Sequence, residues 1–272
     1  MLSVILRIFG FCLITFVAPL SLATAVAETP VDLELVIAVD ISLSMDLDEQ
    51  RLQRDGYVAA LRDGELHQAI AAGARGRIAI TYVEWAGQTS QIIVVPWTLI
   101  DGPQSARALA DRLEAASISR ARMTSISSAL EFSSRLFDNS GFKSSRRVID
   151  VSGDGPNNAG MPVTPVRDQV VGQGITINGL PIMLKVPSSF FDIPDLDRYY
   201  TDCVIGGTGA FMIPIRERAE FRTATRRKLL LEIAGRAAPA RVIRVQDSMP
   251  EGGSDCLIGE KQWRRYWERA PN

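Results

Sequence analysis

The stretch LELVIAVDISLSMDLDEQ, residues 33–50, changes character at its midpoint. LELVIAV (33–39) is a short, nearly continuous apolar run rich in β-branched residues, the mark of a strand buried on both faces in a parallel sheet. It runs straight into Asp40, Ser42 and Ser44, one carboxylate or hydroxyl at every second position. A buried strand gains nothing from that second half, so the polar half reads as a site. Asp46 and Glu49 then have the spacing of a capping box, and a helix is expected over 47–62.

Working outward, apolar runs alternate with amphipathic stretches. A helical piece at 64–73 precedes the strand RIAITYVEWA (77–86). SQIIVVPWTLI (90–100) is also strand-like, but Pro96 cannot donate to a ladder, which places it at an edge. The short GQTS link (87–90) allows a hairpin, so this edge strand is expected to run antiparallel to its neighbour. Helices are expected over 105–116, 125–137, 165–174 and 217–234, with strands over 146–153, 175–184 and 210–215. This order gives an α/β fold: a doubly wound, mostly parallel central sheet with one antiparallel edge strand and helices on both faces. Residues 186–209 break the rhythm with turn formers and aromatics and read as an inserted loop or hairpin. No internal repeat or low-complexity segment is visible.

The ends differ from the body. Residues 1–27 carry Arg7 as their only charge, then a long apolar run, then Ala25-Val26-Ala27. That is the pattern of a cleaved secretory signal peptide, with an uncleaved anchor as the alternative. Export to the periplasm or beyond is therefore expected. Removal of this segment changes 30 basic residues to 29, against 31 acidic ones. Such a balance argues against nucleic-acid binding, which rests on a basic face. No second long apolar segment exists, so the mature chain should not be membrane-embedded. Of the three cysteines, Cys12 leaves with the signal, and Cys203 and Cys256 remain as an even pair for an oxidising compartment. A bridge between them would staple the tail (248–272) to the insertion at 186–209 and could contribute about 4 kcal/mol in the chain-entropy model. The alternative is a pair of buried free thiols. The main domain is then expected over 28–247.

In a sheet of this kind ligands bind beyond the carboxyl ends of the strands, where the strand order reverses. Asp40 ends the first strand and Ser42 and Ser44 follow it. Asp154, in VIDVSGDGPNN, lies just past another central strand, and Thr124, in SRARMTSISSAL, precedes a helix. Two carboxylates and three hydroxyls form a set of hard oxygen donors that suits Mg²⁺, with Mn²⁺ possible at a similar site. Zinc is a poor candidate, since no cysteine or second histidine is near.

DISLS, MTSISSAL and SGDG together resemble the metal-ion-dependent adhesion site, or MIDAS, of von Willebrand factor A domains, and the resemblance covers about residues 31–235. The whole chain looks like an uncharacterised family of exported bacterial proteins built on that domain. The resemblance implies Mg²⁺ held by Ser42, Ser44 and Thr124, with Asp40 and Asp154 acting partly through waters. It also implies a non-enzymatic module that captures an Asp or Glu of a protein partner. Two positions depart from the pattern. The usual glycine pair before the threonine is Arg122-Met123, and the usual threonine before the last aspartate is Gly153.

Other readings are weaker. A metal-dependent hydrolase or phosphatase of the haloacid-dehalogenase type needs a second carboxylate where Ser42 stands. A Ser-His-Asp hydrolase would need the single histidine, His67, which lies on an expected helix far from any G-x-S-x-G. His67 reads as a surface or packed residue. GGTG (206–209) is not a dinucleotide fingerprint. A metal-free scaffold of the same fold is the remaining alternative.

Overall fold

The computed structural model describes residues 27–185, 190–235 and 253–269. The expected signal peptide lies, but for Ala27, outside the described residues, as do parts of the insertion and tail. In chain order the elements are β1 (Thr29–Pro30), β2 (Glu34–Asp40), α1 (Leu47–Leu61), α2 (Gly64–Ala71), β3 (Ile78–Trp85) and β4 (Gln91–Ile100). There follow α3 (Pro103–Ala115), α4 (Ile126–Arg135), β5 (Phe142–Lys143), β6 (Arg147–Gly153), α5 (Val163–Gly172) and β7 (Ile175–Pro181). The last are α6 (Leu196–Tyr199), α7 (Phe221–Ala234) and α8 (Ile258–Arg269).

Five strands form one sheet in the order β4-β3-β2-β6-β7, and only the β3–β4 pair is antiparallel. β1 and β5 make a separate two-residue pairing. The sheet is α/β and doubly wound, as the alternation of runs requires. β2 is buried along its whole length and lies between β3 and β6, so successive side chains serve opposite faces. Leu35, Ile37 and Val39 join a core beneath α1, α2, α3 and α7, whereas Val36 and Ala38 join a core beneath α4 and α5. Each fully buried side chain of this kind contributes about 1.5–3 kcal/mol. The capping box at the head of α1 forms in both directions: Glu49 N–H donates to Asp46 and Asp46 N–H donates to Glu49, each at 2.8 Å.

Pro96 is exposed on β4, at an edge as expected, and it also sits where the β3–β4 register shifts. The opposite edge differs from the sequence reading. Residues 210–215 form no strand of the sheet; they run beside β7 as a strap joined by isolated bridges at Met212 and Ile215. Phe211, Ile213 and Ile215 still exchange backbone hydrogen bonds with Gly179, Pro181 and Met183. Pro181, which lacks an amide hydrogen, leaves a gap between the Gly179 and Met183 donors in what would otherwise be a regular ladder. The insertion is neither a plain loop nor a hairpin. It carries α6 and then a π-helical turn over Tyr200–Val204. No helix among the described residues is long and apolar enough to cross a membrane.

Candidate metal centre

The switch point of the sheet lies between β2 and β6, whose chain connections leave in opposite directions. Asp40 closes β2 with its side chain fully buried. Its Oδ1 accepts the Ser42 N–H at 2.6 Å, which bends the chain so that alternate side chains face one cleft. Ser42 Oγ lies 2.7 Å from Ser44 Oγ, and Ser44 Oγ donates to Asp154 Oδ1 at 2.6 Å. A continuous line of oxygens thus joins residues 110 positions apart in the chain. The loop itself is held from outside by Arg120, whose guanidinium donates to the carbonyls of Leu43 and Met45 at 3.1 and 2.6 Å.

Thr124 reaches the same cleft from the head of α4. Ser125, the N-cap, donates its N–H to Ala86 O at 2.8 Å, and Thr124 N–H donates to Asn158 Oδ1 at 2.9 Å. Met123 has φ +72°, making it the non-glycine residue with positive φ among the described residues. The loop therefore takes the left-handed turn that glycine would permit freely, at a cost of about 1–2 kcal/mol for a side chain there. Met123 thus takes the left-handed conformation at one of the two positions where the resemblance has glycine. Ser42, Ser44, Thr124 and Asp154 all line one cleft of about 720 Å³.

Burial dominates the electrostatics. It raises the Asp40 carboxyl well above the usual range, and the neighbouring Asp154 carboxylate raises it further. Asp154 is pushed up to about 6, chiefly by burial, while the Ser44 hydroxyl and Lys185 pull the other way. Asp40 Oδ2 is buried without a hydrogen-bond partner among the described residues. A buried carboxylate oxygen left open is costly unless a cation or donor meets it. No group of three or more His, Cys, Asp or Glu side chains is placed to hold a metal among the described residues. The donors gathered here are instead two carboxylates and three hydroxyls, a hard-oxygen set that fits Mg²⁺ or Mn²⁺.

Several contributors were not visible in the sequence. Lys185 follows β7, and its Nζ donates to Ser44 O at 2.5 Å and Glu49 Oε2 at 2.6 Å, and lies 3.7 Å from Asp154 Oδ2. Asn157 and Asn158 buttress the Asp154 turn; Asn157 Oδ1 accepts the Ser127 N–H at 3.0 Å. The Asn-Asn pair just after Gly155 was the available signal. Glu49 keeps its capping role and also lines the cleft. His67 is packed, with Nε2 2.8 Å from Leu61 O, and has no part in the site.

Cys203 and Cys256 are bridged, with Cα atoms 5.5 Å apart. The bridge ties the π-turn to the turn that precedes α8, and α8 brings Trp263 to the cleft beside Phe191. Phe190, Phe191, Trp263, Tyr266 and Trp267 form a run of ring contacts with centroids 5.2–5.9 Å apart. Phe190, Tyr266 and Trp267 remain exposed.

A family model described as "Protein of unknown function (DUF1194)" matches residues 30–237. The chain belongs to that family. No curated protein matches it. Among solved structures, proximal thread matrix protein 1 from the mussel byssus, with zinc-occupied MIDAS motif, aligns over 76% of this chain and 49% of its own, at 15% identity and TM-score 0.53. A von Willebrand factor type A protein from Catenulispora acidiphila aligns over 75% of this chain and 43% of its own, at 17% identity and TM-score 0.51. The pilus adhesin SpaC from Lactobacillus rhamnosus GG aligns over 75% of this chain and 31% of its own, at 11% identity and TM-score 0.55. The chain thus spans less than half the length of these proteins. The likeness shows the fold, which is von Willebrand factor A-like.

Proposed function

We propose that this protein is an exported, non-enzymatic binding module that holds a divalent ion, Mg²⁺ first and Mn²⁺ as a substitute, through Asp40, Ser42, Ser44, Thr124 and Asp154. The partner is a protein that offers an Asp or Glu to that ion. The observation that carries this reading is the buried, unpartnered Oδ2 of Asp40 beneath a cleft lined by the other four residues. Neutral hydroxyls do not quench a dication, so an ion held largely by them stays electrophilic toward an incoming carboxylate. Arg122, Lys185 and Arg216 line the cleft beside Glu49, Asp154 and Asp192, so the attraction for an acidic partner would come from the ion itself. The exposed aromatic run at the rim has the composition of an interface centre. The zinc-occupied MIDAS of the mussel protein supports a divalent ion, and the pilus adhesin supports an adhesive role for this fold. The apolar leader ending Ala25-Val26-Ala27 supports action in the periplasm or outside the cell.

Calorimetric titration with Mg²⁺ and Mn²⁺ tests the reading. Binding is expected for the native chain and should be lost in Asp40→Ala and Asp154→Ala, both with native far-ultraviolet circular dichroism. Unchanged affinity in the two variants would overturn it.

A further inference from the structure

The site has a second buried oxygen without a partner, and it comes from the stapled insertion. Tyr200 opens the π-turn and is fully buried in the core beneath α4 and α5. Its hydroxyl, like Asp40 Oδ2, lacks a hydrogen-bond partner among the described residues. The two oxygens flank the same bare spot. A Cβ placed on Gly153 would lie 2.8 Å from Asp40 Oδ2 and 3.1 Å from the Tyr200 hydroxyl.

The passage of the ring is built as well. A Cβ on Gly179 would lie 2.7 Å from Tyr200 Cδ1, closer than such contacts occur. Gly179 on β7 and Gly153 on β6 are offset by one step on adjacent strands, since Val151 pairs with Gly179 and Gly153 with Pro181. Two glycines therefore open a slot across the sheet face, and the phenol fills it with its polar end toward Asp40. Cys203, in the same turn and bridged to Cys256, anchors the segment that carries the ring. The space that a side chain at position 153 would fill is thus bordered by a phenol from a different element.

We infer that Tyr200 is a positioning residue for the metal centre: its hydroxyl donates toward Asp40 Oδ2 across the gap left by Gly153, while the Ser42 N–H holds Oδ1. Oδ1 then has a fixed donor and Oδ2 faces one, so the acid is held in one orientation beside the Ser42–Ser44–Asp154 line of oxygens. A group that orients a metal-site carboxylate in this way is typically worth 10–100-fold in metal affinity. The inference rests on the metal reading above.

Tyr200→Phe tests it, because the ring stays in its slot and one oxygen is deleted. Mg²⁺ and Mn²⁺ titrations of the native chain, Tyr200→Phe and Asp40→Ala are compared, with thermal unfolding recorded in chelator. The expected result is an affinity about 10-fold or more weaker in Tyr200→Phe, with a metal-free melting temperature at or only slightly below that of the native chain, because the ring keeps its slot and one contact to Asp40 is lost. Native metal affinity in Tyr200→Phe, alongside loss in Asp40→Ala, overturns the role of Tyr200 and leaves the metal reading intact. Absence of Mg²⁺ and Mn²⁺ binding by the native chain overturns both. A fall in metal-free stability matching the fall in affinity would mark Tyr200 as packing only.

Discussion

Both faces of the central sheet bury carboxylates, and they balance the charge in opposite ways. On the face covered by α1 and α7, Asp150 and Glu232 meet Lys228, whose Nζ lies 2.6 and 2.5 Å from them. Glu84 meets Arg54 on the same face, and all five side chains are essentially inaccessible. On the face covered by α4 and α5, Asp40 has backbone donors and the nearby Asp154 carboxylate, and no lysine or arginine among the described residues forms an ion pair with it. The cation that comes nearest, Lys185, approaches Asp154 from the solvent side and is 45% exposed. A pair closed by the chain's own ammonium is an ordinary way to bury acids. An acid pair left without an inward cation fits a binding site better than a stabilising contact.

The contrast can be broken most forcefully at its closed end. Lys228→Met strands two acids in the core and is expected to cost about 3–5 kcal/mol, read from urea unfolding. A loss below about 1 kcal/mol would mean that the cluster is not what balances that face. The open end is sharpened by Lys185→Met. Taking away an ammonium 3.7 Å from Asp154 should tighten Mg²⁺ binding about three- to ten-fold, with the gain shrinking in high salt. Weaker Mg²⁺ binding in that variant would instead make Lys185 a support of the site through Glu49.

The smallest effect concerns pH. Glu232 is pushed up to about 7 by burial first and by the Asp150 charge second. A carboxyl whose folded value is raised contributes stability fully below its unfolded value, near 4.3, and loses it as pH rises toward 7. Glu232→Gln should therefore flatten the decline in stability between about pH 4.5 and 7, measured as urea midpoints across that window. An unchanged slope would assign the decline to other groups.

How far the sequence reached follows the same physics. β2 was readable because a strand buried on both faces must be a continuous apolar run, and its abrupt end at Asp40 located the site. β4 was readable because Pro96 excludes an interior place. Asp40, Ser42, Ser44, Thr124 and Asp154 lay at strand or helix ends, where the fold itself brings loops together. Tyr200 was hidden, since its position depends on two glycines of other strands and on a bridge 53 residues long. Lys185 was hidden too, because one lysine after a strand says nothing of its acid partners. α8 was legible in part, since Trp263, Tyr266 and Trp267 stand at i, i+3 and i+4 along GEKQWRRYWER, but nothing in that spacing says that its other face, at Gly259 and Glu260, meets the Asn157 turn. The strap at 210–215 reads as a strand by composition, and the gap in its pairing comes from Pro181 on the neighbouring strand.

The two borders of the sheet have a consequence for association. β7 has its outer amides at Ile177 and Gly179 occupied by the carbonyls of Gly206 and Phe211, and β4 carries Pro96 at an irregular step of its pairing. Ile92 and Ile93 are exposed on β4, a composition that would otherwise invite another chain to add on. One rim is thus shielded by the polypeptide itself and the other is interrupted by an imino acid. Copies of this molecule crowded together have little with which to template lateral polymerisation.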